Sequence, residues 1–239
     1  MKLSKKIGGM VLAASFILIP APQPAEAGFF NQLLEFAGEI LIDDPEMFAI
    51  KHSDKILDAL WKSSVLMEES KLCLAEALNF NPRKIAAYKE SIRQMTFDRN
   101  DMNAIRTSTR DAIPEDVLKY GVSRLLSNED RATDVKIQEL MKRSQAARHA
   151  AHGYNEGALS HIARAFFHIE RLKEKDPYAA DQAMRYLIQR LGDAQELLSV
   201  QRKQSKMFHE VFDVFNRKYN IKDPTKKEIK RVEKELLPS

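Results

Sequence analysis

The residues best suited to chemistry are gathered in one stretch, RHAAHGYNEGALSHIARAFFHIE at 148–170. It holds His149, His152, His161 and His168, four of the chain's six histidines, with Glu156 among them. Imidazole and carboxylate groups are common ligands of divalent metals, and imidazole also titrates near neutral pH. On a helix turning about 100° per residue, His149, His152 and Glu156 fall within about 60° of one another, whereas His161 and His168 sit about 100° or more away. The five groups therefore cannot converge on one ion. His161 and His168 are also two turns apart, about 10 Å along the axis, too far to serve as adjacent ligands. The favoured reading of this face is packing along a helix seam with no cofactor; the alternatives are a divalent-metal site at His149, His152 and Glu156 and a partner-binding or pH-responsive surface. A dedicated zinc pattern such as H-E-x-x-H is absent.

A helix must present that face, and the rest of the chain reads as helices too. Prolines after residue 27 fall at breaks: Asp44-Pro45, Asn81-Pro82, Ile113-Pro114, Asp176-Pro177 and Asp223-Pro224. An Asp or Asn side chain accepts from the orphan amides of a helix start, and a following Pro lacks only an N–H that would be unpaired there. Each Asp-Pro or Asn-Pro pair thus predicts an N-cap and first helical residue. The segments between are rich in good helix formers, which predicts helices at 29–43, 45–80, 82–111, 114–126, 128–174, 177–220 and 224–236, with Ser127 starting the fifth. No segment alternates apolar and polar residues long enough to argue for a strand. The predicted class is all-α, an elongated bundle.

Within 177–220, Ala180, Met184, Leu187, Leu191, Ala194, Leu198, Gln201, Ser205, Phe208, Phe212, Phe215 and Tyr219 step by fours and threes, and all but Gln201 and Ser205 are apolar. This is a heptad seam on a helix about 60 Å long. The short turn near Asp176 makes 128–174 and 177–220 antiparallel neighbours, a long helical hairpin. Folding the two together brings Phe212 and Phe215 near Val135 and Ile137. It also sets Gln201 and Ser205 opposite Ser144, Gln145 and His149. The expected polar seam layer is Ser144, His149, Gln201 and Ser205, which would fix register at a cost in stability. Gly153 and Gly157, each costing about 1 kcal/mol within a helix, predict a bend or fray there.

Targeting and composition narrow the function. Lys2, Lys5 and Lys6, the apolar run Ile7 to Ile19 and the ending Ala25-Glu26-Ala27 have the form of a secretory signal peptide spanning 1–27. Its removal takes the formal charge from +4 to about +2, with both signs interspersed, which argues against nucleic acid as partner. Three regions are expected: the cleaved signal, a helical region at 28–127 that packs on the hairpin, and 128–239 with the hairpin and a short amphipathic helix. Cys73 is the lone cysteine, so no intramolecular disulfide forms; it reads as a buried thiol, with an intermolecular bond as the alternative. The apolar stretch 29–41 reads as a bundle cap, with peripheral membrane contact as its rival. No nucleophile motif, phosphate loop or haem-attachment motif is present, so the chain reads as non-enzymatic. The expectation is an exported protein, periplasmic or secreted, that scaffolds, chaperones or assembles by protein–protein contact or self-association. The alternative is a periplasmic metal- or ligand-binding sensor using the His149/His152/Glu156 face.

Overall fold

The computed structural model describes residues 44–95, 115–128, 133–192, 194–219 and 221–237. The signal peptide at 1–27, the helix expected at 29–43 and the 96–111 part of the helix expected at 82–111 lie outside these residues. The described chain is all-α, with seven helices and no strand. They are α1 (Pro45–Ala77), α2 (Pro82–Met95), α3 (Glu115–Leu126), α4 (Val135–Lys175), α5 (Pro177–Leu191), α6 (Ala194–Tyr219) and α7 (Lys226–Leu236).

Capping chemistry sets most of these starts. The Asp44 carboxylate accepts from the amides of Glu46 at 2.9 Å and Met47 at 3.3 Å. Asp176 accepts from Tyr178 at 3.1 Å and Ala179 at 2.9 Å, and Asn81 accepts from Arg83 at 3.0 Å. The fourth pair behaves differently. Asp223-Pro224 stands outside α7, which starts after Thr225 because Thr225 and Glu228 close a reciprocal capping box. Ser127 is likewise no helix start: its hydroxyl donates to the Ser123 carbonyl at the end of α3, and Asp134 caps α4 instead.

The helix expected across 177–220 is two helices. Gly192 ends α5 with φ 41°, a backbone state costly for any residue with a Cβ, and α6 begins at Ala194. The seam nevertheless continues across the break: Ala180 and Leu187 are buried before it, and Ala194, Leu198, Phe208, Phe212 and Phe215 after it. No fray occurs at Gly153 or Gly157, since α4 is helical from Val135 to Lys175. Its alanine stripe explains the tolerance. Ala146, Ala147, Ala150, Ala151 and Ala158 are all buried, so α4 is held by a neighbour along the stretch where its glycines weaken it.

That neighbour is α1. The contact between α1 and α4 is the most extensive of any helix pair, and α5, α2 and α6 also rest on α1. α4 and α5 touch across Asp176 and α6 also meets α4, but the most extensive partner of α4 is α1, joined to it by bonds such as Ser63 to the Ala151 carbonyl, 88 residues apart. Val135 shows the difference, being 71% exposed at the start of α4 where a facing Phe212 and Phe215 had been expected. The core joins Leu60, Trp61, Val65, Leu66 and Leu74 of α1 to the α4 alanines and to Phe208, Phe212 and Phe215 of α6. Each large buried side chain of this kind contributes about 1.5–3 kcal/mol. A smaller cluster near the α4–α5 turn packs Phe48 and Ala49 against Ala165, Ile169, Ala183 and Leu187.

Candidate functional site

The structure spreads the expected site residues over two surroundings. Ser144, Gln201 and Ser205 are buried, and His149 is half-buried. Ser144 and Gln201 bond to α1 rather than to one another. The Ser144 hydroxyl donates to the Ser70 carbonyl at 2.6 Å, which leaves the Ser70 hydroxyl to donate to Ser144 Oγ at 3.0 Å. Gln201 Nε2 donates to Ser64 Oγ at 2.5 Å, and Ser64 donates onward to the Leu60 carbonyl at 2.9 Å. The Ser63 hydroxyl lies 3.0 Å from both Gln201 Oε1 and the Ala151 carbonyl, so one hydrogen serves two acceptors. Only small side chains on α4 let a serine of α1 come that close to its backbone.

These bonds belong to a polar column on α1 that sequence reasoning missed. Glu68 and Lys71 form an ion pair at 2.9 Å with both side chains at most 2% exposed. Next to it Glu69 accepts from Arg143 Nε at 2.6 Å, and Arg143 Nη1 donates to Glu235 Oε2 at 2.5 Å, which ties α7 to α1 and α4. The same Glu69 lies 3.5 Å from Cys73 Sγ, and burial together with this carboxylate pushes the thiol pKa well up. Cys73 therefore stays a buried thiol. The one available signal was that Leu60, Trp61, Val65, Leu66, Met67, Leu72 and Leu74 point to all sides of α1. A helix apolar all round is enclosed, and its polar residues are enclosed with it.

The histidines divide as their spacing requires. His149 lies beside Arg148, with Arg148 Nη2 and His149 Nε2 3.0 Å apart, so the guanidinium donates and the imidazole accepts. Burial first, then the Arg148 charge, holds His149 below the ordinary histidine pKa, while Asp223 opposes the shift. His152 and Glu156 are exposed, and Glu156 faces Arg202 at 3.9 Å. Among the described residues no three His, Cys, Asp or Glu side chains are placed to hold a metal ion. His168 instead joins an aromatic cluster at the other end of α4, 5.9 Å from His52 and 6.3 Å edge-on to Phe48. There His52 is pushed down to about 4, by burial first and then by His168, Lys55, His161 and Lys51.

One cleft stands out beside His149. It has a volume of about 210 Å³ between α4 and α6. Arg148, His152 and Asn155 come from α4, while Arg202, Ser205, Lys206 and His209 come from α6. Each set recurs at three to four residues, the spacing of one helix face. Folding the two stretches together at the turn near Asp176 sets these rows near each other, and the structure places both on the cleft. Asn155 is 1% exposed, and neither its Nδ2 nor its Oδ1 has a hydrogen-bond partner. Arg148 Nε is likewise buried and unbonded. Its guanidinium lies 6.0 Å from the Phe212 ring centre, and burial lowers its pKa against the pull of Asp223.

No family model, curated protein or solved structure matches the chain. Function must therefore be argued from the residues themselves.

Proposed function

We propose that the chain is an exported helical protein of the cell envelope, periplasmic or secreted, that acts by protein–protein contact, chaperone-like or as a helical part of a secretion or pilus assembly. The observation that carries this is the exposure of large apolar side chains on separate helices: Tyr178 at 73%, Val135 at 71% and Tyr120 at 67%. Exposed tyrosines of this kind are enriched in protein contact surfaces. The export half rests on the basic, apolar and small-residue order of residues 1–27. Among the described residues no helix is long and apolar enough to cross a membrane. In-cell crosslinking with mass spectrometry tests the reading. The expected result is cleavage near residue 27 and crosslinks to an envelope protein that weaken in Tyr178→Ser and Val135→Ser. A cytosolic, uncleaved protein or an uncrosslinked monomer would overturn it.

A second reading, a periplasmic ligand sensor, is favoured by the cleft beside His152. Its ligand follows from the cleft's charge.

A further inference from the structure

The cleft between α4 and α6 combines three features. Its floor holds a buried amide, Asn155, and a buried guanidinium nitrogen, Arg148 Nε, both without partners. Unpaired polar atoms at that depth are expensive. Its rim is cationic, with exposed Arg202 and Lys206 on α6. Further N–H and O–H groups come from His152, His209 and Ser205 on both walls. Against these stand two carboxylates: Glu156, 3.9 Å from Arg202, and Asp223, which acts on Arg148 and His149. Three fixed cations exceed two carboxylates, so the cleft is left positive.

Size and donor geometry narrow the ligand. A volume of about 210 Å³ is below the roughly 300 Å³ at which pockets for drug-sized molecules begin, so the cleft takes a headgroup and not an extended ligand. Donors reach it from two walls and a floor. A planar carboxylate is satisfied by one forked guanidinium, whereas a tetrahedral phosphate offers acceptors in several directions and carries more charge. A divalent metal fits poorly here, because Arg148, Arg202 and Lys206 would repel it and the Nε2 of His149 already accepts from Arg148.

We propose that this cleft binds a phosphate group, with Asn155 and Arg148 as its floor and Arg202 and Lys206 as its clamp. The proposal supplies the ligand class for the sensor reading and does not depend on the protein-contact reading. The two fail separately: loss of crosslinks leaves phosphate binding intact, and loss of phosphate binding leaves crosslinks intact. Free phosphate and a phosphate monoester offer the same chemistry, so calorimetric titration of the purified protein should use inorganic phosphate, glycerol 3-phosphate and acetate at low and physiological ionic strength.

The expected result is saturable one-to-one binding of phosphate or the monoester, tighter than about 1 mM, with acetate much weaker. The preferred of the two names the source, and either preference supports the proposal. Arg202→Gln with Lys206→Gln, both at exposed positions, should weaken binding about tenfold or more at an unchanged thermal midpoint. Lys203→Gln, one residue from Arg202 but outside the cleft, should leave it within about twofold. Asn155→Asp, which keeps the shape and adds a negative charge at the floor, should abolish it. No saturable binding by the wild-type protein, acetate binding as tightly as phosphate, or equal losses in Lys203→Gln and the clamp variant would each overturn the proposal.

Discussion

Two polar regions lie within a few turns of each other and are built in opposite ways. Along α1, the groups of Ser63, Ser64, Ser70, Glu68 and Lys71 are closed to water and bonded to Gln201, Ser144, the Ala151 backbone or one another. In the cleft between α4 and α6, Asn155 and Arg148 Nε are equally deep but bonded to nothing in the protein. The column spends its hydrogen-bonding capacity on the fold, and the cleft holds its own in reserve. A buried network with most of its groups paired fixes how helices sit, because sliding α1 past α4 or α6 would strand several groups at once. An unpaired set beside an opening leaves the fold to a partner from solution.

The comparison is tested most severely at the ion pair. Lys71→Met alone should destabilise by about 3–5 kcal/mol in urea unfolding, because it strands the Glu68 carboxylate in the core. Glu68→Leu combined with Lys71→Met should recover most of that loss. If the single variant unfolds at the wild-type midpoint, the column is not the closed network described. Gln201→Leu should cost about 1–3 kcal/mol, since Ser63 and Ser64 each lose a partner.

His52 is an intermediate case, with a ring in the aromatic cluster and a buried Nδ1 that has no partner. Its pKa falls from 6.5 to about 4 on folding, so between those values the unfolded chain binds the extra proton. Stability from this group is therefore complete above pH 6.5 and drains away as pH falls toward 4. The ring keeps substantial contact with solvent, and screening reduces the loss to about 1–2 kcal/mol. Thermal melts from pH 7 to 4 should show it, and His52→Phe should flatten the slope; an unchanged slope would remove His52 as its source. The smallest effect is expected in the cleft. Asn155→Leu removes two unbonded polar atoms, so stability should stay equal or rise by up to about 1 kcal/mol while phosphate binding falls. A clear loss of stability would mean that Asn155 serves the fold, as the column does.

The parts of the fold that could be read directly were those set by local chemistry. Asp44, Asn81 and Asp176 cap helices because a short acceptor side chain meets the amides two or three residues on, and the chain alone decides that contact. The seam from Ala180 to Tyr219 also survives, because a periodic apolar face is buried whichever neighbour covers it. Thr225 prevailed over Asp223 at α7 because a capping box satisfies amide donors reciprocally, and that S/T-x-x-E pattern was present to be read. Gly192 was passed over because the seam keeps its spacing across it.

For the candidate site, composition pointed to one stretch of α4, and the structure gives that stretch α1 as well as α6 for company. Ser144 and Gln201 were expected to meet each other, and α1 lies between them as the partner of both. The clustering of histidines suggested a cation ligand, while Arg202 and Lys206, more than forty residues away, give the cleft its sign.

The sequence by itself determined the helices, their caps, the buried seam and the split of the histidines between two faces, because each depends on residues within a turn or two of one another. Only the tertiary structure decided that α1 is the central partner and that its serines and ion pair are closed inside. Those outcomes depend on which helices meet, and long-range packing of apolar surface chooses that without leaving a mark in local spacing.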